Sequence, residues 1–414
     1  MKNKYGCIGR KLSHSFSKEI HRALADYEYN LIELEPNELS NFLNKREFKG
    51  VNVTVPYKKA SIQYLDEIDS SAEEIGAVNT IFKDACGRLK GYNTDFYGLK
   101  SLILHVGVDI QGKKVAILGT GGTSKTARAV VRHLGAREIL TVSRTPSEGE
   151  ISYEQLYASH FDCDVIINTT PVGMYPDVYK TAVDISTFNN LSGVIDVVYN
   201  PLRTTLVSAA IKRGIPASSG LYMLVAQAVK SSEIFIGKSY PKKVVDEVYS
   251  KILKEKEAIV LIGMPSSGKS TVGKLLAEAL SRPLIDTDEL IEARAGMKIS
   301  EIFEKYGEEH FRMLEKEAVM DAAKTPSAII ATGGGAVLSS DNVAALKQNG
   351  RLYFIDRPLE TLIPTSDRPT ASDRAKIKAL YEARFDIYMD ACDERITDTE
   401  TALSVMNQIR RYYL

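Results

Sequence analysis

The stretch that most constrains this chain is IVLIGMPSSGKST, residues 259–271, in which an apolar run leads straight into a glycine-rich turn and a helix-forming segment. It fits the pattern GxxxxGK[ST] in full. Backbone amides of such a loop wrap nucleotide phosphates, the lysine reaches the β- and γ-phosphates, and the hydroxyl is placed for Mg²⁺. The predicted nucleotide-binding residues are Gly263, Ser266, Ser267, Gly268, Lys269, Ser270 and Thr271. A purely structural loop is the alternative.

Short β-branched runs alternate with amphipathic stretches along the whole chain, as in KVAILGTGG, DVIINTTPVG, AIVLIGM and RLYFIDRP. Continuous apolar runs of this length indicate strands buried on both faces of a parallel sheet, so the predicted class is α/β. A helical pattern running from Val244 to Leu253 leads almost directly into the apolar run before the loop. We therefore predict a domain boundary near residue 255, with scarcely any linker.

Composition limits the partners. Lys+Arg and Asp+Glu are equal at 53 each, so no bulk charge favours nucleic acid. The four cysteines form no CxxC pair, which argues against a zinc site and fits a reducing compartment. No stretch of about 18 apolar residues occurs. We expect a cytoplasmic protein that binds small-molecule substrates and neither nucleic acid nor membrane, with homodimerisation left open.

A second glycine-rich turn lies earlier, in VAILGTGGTSKTARAV, residues 115–130. Glycines let backbone amides approach a pyrophosphate at a helix N-terminus, which predicts a dinucleotide site; an ordinary strand-to-helix turn is the alternative. The next strand ends in Ser143-Arg144-Thr145, where an NAD enzyme usually carries an acidic residue. An arginine there suits a 2′-phosphate and so NADP. The residues singled out for this site are Gly119, Gly121, Gly122, Thr123, Ser143, Arg144 and Thr145.

Seven ordered motifs around that turn resemble the shikimate dehydrogenase family. They are HSFS (14–17), GVNVTVPYKK (50–59), IGAVNTI (75–81), GYNTDFYG (91–98), NTTPVGM (168–174), DVVYNP (196–201) and GLYMLVAQA (220–228). The resemblance covers residues 5 to 254. It implies a substrate domain of residues 1–100 with 225–254, and a Rossmann NADP-binding domain of residues 101–224.

The same resemblance implies that Lys58 and Asp95 form the catalytic pair, which is sensible because a ketone oxygen that receives hydride at its carbon needs a proton or a cation beside it. The alternative is a solvated Lys58 and an Asp95 that caps a helix; the neighbouring Lys59 we take as solvated. The implied substrate-binding residues are Ser15, Ser17, Thr54, Asn79, Asp95, Tyr199 and Gln227, and Thr170 and Met223 would contact the cofactor. Thr54 as a strand hydroxyl and Asn79 as a turn amide are the alternatives.

Residues 258 to 414 resemble shikimate kinase, through PLIDTDELIE (283–292), EEHFRMLE (308–315), ATGGGAVL (331–338), SDRPTASDR (366–374) and ALYEARFDIY (379–388). This places a P-loop kinase domain of the nucleoside monophosphate kinase type at residues 255–414. The implied roles are Asp288 for the attacking hydroxyl, Arg312 and Arg384 for the substrate carboxylate, Gly334 and Gly335 against the ring, Arg368 in a lid, and Asp286 with Ser270 for Mg²⁺.

Alternatives for this second set are local. Asp286 or Asp288 can cap the helix that starts near Glu289, and Arg312 can pair with Glu308 or Glu315. For Arg384 the alternative is a local pair with Asp386. The lid reads RPTAS where the family has RPLL, and the arginine expected to stack on adenine is replaced near IPTSD.

Together the two resemblances imply a bifunctional enzyme that reduces 3-dehydroshikimate to shikimate with NADPH and phosphorylates shikimate with ATP and Mg²⁺. Three alternatives stay open. They are a quinate/shikimate dehydrogenase working oxidatively with NAD, a kinase-like half kept as a non-catalytic ATP-binding module, and a P-loop kinase for another polyol such as gluconate.

Overall fold

The computed structural model describes residues 5–12, 15–364 and 373–413. Its contacts divide the chain into two compact units, the first unit up to Leu253 and the second unit from Lys254 onward. Each unit is described separately below. The domain limits given from the sequence stay predictions.

The first unit begins with a six-stranded sheet in the order β2-β1-β3-β5-β6-β4. Its strands are β1 Tyr5–Gly9, β2 Tyr29–Glu33, β3 Gly50–Val53, β4 Glu67–Ile68, β5 Thr80–Lys83 and β6 Leu89–Tyr92, and its helices are α1 Ser17–Leu24, α2 Leu39–Lys45, α3 Ser70–Ile75 and α4 Thr94–Val106. Strand β5 runs antiparallel to both β3 and β6. This sheet is therefore mixed, because a tight turn at Asp84–Arg88 joins β5 to β6 as a hairpin.

A second sheet of the first unit is entirely parallel, in the order β12-β11-β10-β7-β8-β9. Its strands are β7 Lys114–Leu118, β8 Glu138–Ser143, β9 Ile151–Ser152, β10 Val165–Asn168, β11 Gly193–Asp196 and β12 Ala217–Ser218, with helices α5 Gly122–His133, α6 Tyr153–Ser159 and α7 Thr205–Lys212. Every residue of β7, β10 and β11 is buried, as expected for strands covered on both faces.

Two helices then return the chain toward the first sheet: α8 Leu221–Ile236 and α9 Val244–Lys256. Apolar side chains of α1, α4, α8 and α9 share one core with those of β7 and β10. Helix α9 is separated from the next strand by Glu257 alone. Arg282 donates to the backbone carbonyl oxygens of Lys254, Glu255 and Glu257 at 2.8–2.9 Å, so the last turn of α9 has side-chain hydrogen bonds.

The second unit is a five-stranded parallel sheet in the order β14-β15-β13-β16-β17. Its strands are β13 Ala258–Ile262, β14 Leu284–Asp286, β15 Ile329–Ala331, β16 Gly350–Ile355 and β17 Glu394–Ile396, and its helices are α10 Lys269–Leu280, α11 Thr287–Ala295, α12 Ile299–Ala322, α13 Ser340–Asn349, α14 Arg374–Ala391 and α15 Ala402–Tyr413. Separate apolar cores cover the two faces of the sheet. The predicted α/β class is confirmed. Within the described residues, the helices are too short or too polar to cross a membrane.

Candidate functional site

Lys58 and Asp95 form an ion pair in the first unit. Lys58 follows β3, and Asp95 lies in the first turn of α4, whose N-cap is Asn93. Lys58 Nζ donates to Asp95 Oδ2 at 2.6 Å, with the two side chains only 18% and 10% exposed. The N-terminus of α4 adds partial positive charge beside the carboxylate. Asp95 thus fixes the ammonium group of Lys58 in a position shielded from solvent. The N-cap of α4 is Asn93, so the alternative in which Asp95 caps the helix is wrong.

Three polar side chains, Asn79, Thr94 and Gln227, meet at the N-terminus of α4, next to this pair. Asn79 Oδ1 accepts a hydrogen bond from the Thr94 backbone N–H at 2.7 Å, while for its Nδ2 the described residues supply no acceptor. Thr94 Oγ1 donates to Gln227 Oε1 at 3.4 Å, which brings α8 to the same point. Asn79 therefore supports the helix that carries Asp95 and keeps a free donor.

Ser15, Ser17 and Tyr199 lie together at the start of α1. Ser15 Oγ donates to Ser17 Oγ at 3.1 Å, and the ring of Phe16 between them meets the ring of Tyr199 edge-on, with centroids 5.2 Å apart. Burial raises the pKa of Tyr199 to about 12, so its hydroxyl stays a donor at neutral pH. Thr54 packs at the neighbouring strand end, where a Cβ on Gly9 would lie 2.5 Å from its Cγ2.

The glycine turn after β7 lies next to the ion pair. Gly119 has φ 104°, in the left-handed region, and a Cβ there would lie 3.0 Å from both Thr169 Oγ1 and Thr170 Cγ2. A Cβ on Gly121 would meet no atom within 4 Å, whereas one on Gly122 would lie 4.0 Å from Lys58 Cδ. The N-terminus of α5 is thus open to a ligand and adjacent to the ammonium-bearing side chain, which fits a dinucleotide whose pyrophosphate binds there.

Three of the other predicted cofactor residues, Ser143, Arg144 and Thr145, lie at the carboxyl end of β8. Ser143, at the end of β8, accepts a hydrogen bond on Oγ from the Thr145 N–H at 3.3 Å. Between them Arg144 is exposed and has no ion pair among the residues that the structure describes. This arrangement fits a phosphate on the cofactor ribose. Thr123 lies in the first turn of α5, and Met223 lies in the first turn of α8.

Asp196 is a residue of this site that the sequence reasoning did not single out, although DVVYNP begins with it. It is fully buried at the end of β11 and accepts hydrogen bonds from Asn168 Nδ2, Val198 N–H and Thr204 Oγ1 at 2.8–3.0 Å. Burial raises its pKa to about 7, against the lowering effect of these three donors. Asn168 Oδ1 in turn accepts a hydrogen bond from Thr170, a predicted cofactor residue. Through Asn168 and the Val198 N–H, the Asp196 carboxylate therefore links Thr170 to the residue that precedes Tyr199.

In the second unit, the loop between β13 and α10 has the conformation of a phosphate cradle. Gly263, Ser266 and Gly268 have φ of 148°, 63° and 91°. Ser267 Oγ is buried and has no hydrogen-bond partner within the described parts of the chain. Lys269 Nζ donates to the Gly263 and Met264 carbonyl oxygens at 3.0 and 2.9 Å. An unsatisfied buried hydroxyl and a lysine folded over a concave loop fit a nucleotide phosphate.

The predicted metal residues meet beside that loop. Ser270 Oγ donates to Asp286 Oδ2 at 2.5 Å. The other oxygen of Asp286 accepts from the backbone N–H groups of Asp288 and Glu289 at 3.0 and 3.4 Å, so it is also the N-cap of α11. A hydroxyl and a carboxylate at the phosphate end fit Mg²⁺, which commonly takes one or two protein oxygens together with water and phosphate.

Two arginines and Asp288 converge on the glycines after β15. Arg384, on α14, is 7% exposed, and its Nη1 donates to the Gly334 carbonyl oxygen at 3.0 Å rather than to Asp386. A Cβ on Gly335 would collide with the guanidinium of Arg312. A Cβ on Gly333 would lie 2.6 Å from Asp288 Oδ1. The absence of side chains here lets all three charged groups approach one spot.

Arg312 is held between two carboxylates of its own helix, α12. Its Nη2 lies 2.9 Å from Glu308 Oε1 on the exposed side, and its Nη1 lies 2.7 Å from Glu315 Oε2 on the buried side. Burial raises the pKa of Glu315, and Arg312 opposes that rise. Glu315 was not among the predicted site residues; its position three residues after Arg312 is the signal that could have found it. Arg368 lies outside the described residues.

Comparisons with known proteins agree with the candidate site of each unit. A family model described as shikimate dehydrogenase substrate binding domain matches residues 7–81, and one described as shikimate kinase matches residues 265–413. The shikimate dehydrogenase (NADP(+)) of Clostridium beijerinckii is 36% identical over 263 residues, which is 59% of this chain and 96% of the relative.

Solved structures give the same result for the first unit. A chorismate mutase/shikimate 5-dehydrogenase fusion protein from Clostridium acetobutylicum is 34% identical with a TM-score of 0.58, over 61% of this chain and 97% of that one. Shikimate 5-dehydrogenase from Thermus thermophilus in complex with NADP(H) and shikimate is 25% identical with a TM-score of 0.55, over 60% and 99%. The predicted resemblance is confirmed: the chain belongs to the shikimate dehydrogenase family and carries a shikimate kinase domain after it.

Proposed function

We propose that this chain is a bifunctional enzyme that reduces 3-dehydroshikimate to shikimate with NADPH in its first unit and phosphorylates shikimate at the 3-hydroxyl with ATP in its second. The product of the first reaction is the substrate of the second. The observation that carries the proposal is the shielded Lys58–Asp95 pair, 2.6 Å apart and beside the dinucleotide turn, in a chain that also carries a phosphate cradle.

In the first unit NADPH supplies the hydride. The ketone oxygen of the substrate gains negative charge as its carbon accepts that hydride, and Lys58 Nζ is placed to give it a proton. Asp95 holds the ammonium in position. We assign the substrate hydroxyls and carboxylate to neutral donors, which orient a polyol without neutralising it. These are Ser15, Ser17, Thr54, Asn79, Tyr199 and Gln227.

The cofactor is NADP(H). Arg144 is exposed at the end of β8, without an ion pair among the described residues, and can therefore grip a 2′-phosphate bidentately. This argues against a quinate/shikimate dehydrogenase that works oxidatively with NAD. Gly121 and Gly122 leave the N-terminus of α5 open for the pyrophosphate.

In the second unit ATP supplies the phosphoryl group. Asp288 accepts the proton of the attacking hydroxyl and orients it, while Arg312 and Arg384 hold the substrate carboxylate. Ser270 and Asp286, whose side-chain oxygens lie 2.5 Å apart, would hold Mg²⁺, which would supply positive charge for the phosphates. Arg368 is proposed to neutralise the transferring phosphoryl group, as the family resemblance implies.

Two alternative functions for the second unit are less well supported. A non-catalytic ATP-binding module has no need of Asp288, two arginines and a buried Glu315 gathered at Gly333–Gly335, and the shikimate kinase family match extends over residues 265–413. A kinase for another polyol such as gluconate is disfavoured by the shikimate kinase family match over residues 265–413. The two guanidinium groups do not discriminate here, because both substrates carry a carboxylate.

Mass spectrometry of the products tests both activities together. Purified chain is given 3-dehydroshikimate, NADPH and Mg·ATP, and shikimate 3-phosphate is expected to accumulate. The Asp288→Asn variant is the matched control, because it should stop at shikimate while the reductase rate is unchanged. If the unaltered chain accumulates shikimate and leaves ATP untouched, the second unit is not a shikimate kinase. If no shikimate forms, the first assignment fails.

A cytosolic location and the absence of nucleic-acid partners stay part of this proposal. All four cysteines are free, which suits a reducing compartment. Whether the chain forms a homodimer is measured directly by light scattering at micromolar concentration.

A further inference from the structure

Arg357 lies at the phosphate cradle of the second unit, although no motif drew attention to it. It lies two positions after Ile355, the last residue of β16. The end of β16 borders the cradle, because a Cβ on Gly263 would lie 2.9 Å from the Ile355 carbonyl oxygen. A Cβ on Gly268, at the other end of the loop, would lie 3.8 Å from Arg357 Nη1. The guanidinium therefore sits beside the glycine that precedes Lys269.

No residue that the structure describes supplies a counter-charge to this arginine. Its Nε is buried without a hydrogen-bond partner, and no ion pair to it occurs among the described residues. The carboxylate next to it in sequence, Asp356, is bound by Arg395 at 2.6 Å, and Arg351 at the start of the same strand pairs with Glu394 at 2.5 Å. A half-buried guanidinium that loses water without gaining an acceptor is unfavourable. Among these arginines of the described structure, Arg351 and Arg395 are paired with carboxylates, and Arg357 is therefore available to bind an external anion.

A second, independent group points to the same ligand. Ser267 is 3% exposed, its Oγ has no partner, and a Cβ on Gly263 would lie 3.1 Å from that oxygen. A buried donor inside the loop and an unpaired cation at its end both require an anion with several oxygens. A nucleoside diphosphate or triphosphate meets both requirements.

We propose that Arg357 is a nucleotide-binding residue of the kinase half, donating to phosphate oxygens of the nucleotide as a second cation beside Lys269. The proposal rests on the nucleotide site of the proposed function but not on which substrate is phosphorylated. It also gives the cradle a fixed cation on the β16 side that does not depend on residues 365–372.

Calorimetric binding to the full chain tests the assignment, with ADP and inorganic pyrophosphate as separate probes and without shikimate. We expect Arg357→Gln to weaken both probes about tenfold, which corresponds to about 1.4 kcal/mol, and Arg357→Lys to recover part of the loss. Arg351→Gln is the matched control, because its partner is Glu394; it should leave both affinities unchanged. Circular dichroism with thermal unfolding of each variant verifies that the second unit, which carries both substitutions, is folded.

Each result decides the proposal. Equal ADP and pyrophosphate affinity in Arg357→Gln and the unaltered chain overturns it. Loss of ADP binding with pyrophosphate unchanged also overturns it, because the contact is then with the base. If ADP and pyrophosphate binding depend on Arg357 but shikimate is not phosphorylated, the inference stands and the assigned kinase substrate fails.

Discussion

Replacing Glu315 by glutamine tests whether the buried carboxylate positions Arg312 for the substrate. The substitution removes the charge of Glu315 and leaves the charge of Arg312 unchanged. Opposite unit charges 2.7 Å apart attract by about 6 kcal/mol at an effective dielectric constant of about 20, much of which is offset by desolvation of the buried carboxylate. A hydrogen bond to a charged group is worth about 1.5–3 kcal/mol net. Glutamine offers Arg312 a neutral acceptor in place of a carboxylate, so the ion pair of Arg312 that remains among the described residues is the one with Glu308 on the solvent side. We expect the KM for shikimate to rise roughly 10- to 100-fold.

The control is Glu308→Gln, which removes the other carboxylate of the same arginine. Glu308 is 57% exposed, and an exposed helical pair contributes well under about 1 kcal/mol, so KM should scarcely change. The assay is initial-rate phosphorylation at saturating Mg·ATP, with shikimate varied and reductase activity of the same preparation as an internal standard. Equal KM values for the Glu315→Gln and Glu308→Gln variants would refute the view that the buried carboxylate positions Arg312.

Three further predictions follow from the site and core geometry. Lys58→Met should lower the reductase rate by at least about 10²-fold, as expected for loss of a proton donor, whereas Lys59→Met, at an exposed position, should leave kcat unchanged; stopped-flow oxidation of NADPH measures both. Gly335→Ala should abolish shikimate binding while calorimetric ADP binding persists, because the new methyl group collides with Arg312. Burial lowers the pKa of His21 to about 3, below its ordinary 6.5. As the pH falls below 7, the unfolded chain therefore binds a proton at His21 that the folded chain does not bind, and this favours unfolding. The first unit should lose about 2 kcal/mol of unfolding free energy between pH 7 and pH 5, and His21→Gln should flatten that dependence in urea titrations.

Local signals in the sequence were sufficient where function depends on a contiguous stretch. The GxxxxGK[ST] pattern predicts the strand, loop and helix around Lys269, and the structure has all three. Lys58 and Asp95 are 37 positions apart, and their approach to 2.6 Å was implied by family resemblance rather than by spacing. No periodicity within either segment encodes that distance.

The sequence could not show which hydrogen-bond partners each polar side chain has in the folded structure. Asp286 caps α11 with one oxygen and reaches Ser270 with the other, so the capping alternative and the metal-site prediction describe the same side chain. Glu315 and Asp196 read as ordinary acidic residues, because their burial is decided by elements distant in the chain. The antiparallel β5 was also missed, since a strand's direction depends on its neighbours and not on its own composition.

The short junction at Glu257 affects the ratio in which the two catalytic centres are supplied to the cell. With one residue between α9 and β13, and Arg282 bonded to the carbonyl groups around it, the connection offers a protease little exposed, extended backbone to cut. Nicking is therefore a poor route to separate the halves. Every translated chain then delivers one reductase centre and one kinase centre, whatever the expression level. The balance between the two steps is left to their turnover numbers, and regulation of the gene changes total flux without changing that ratio.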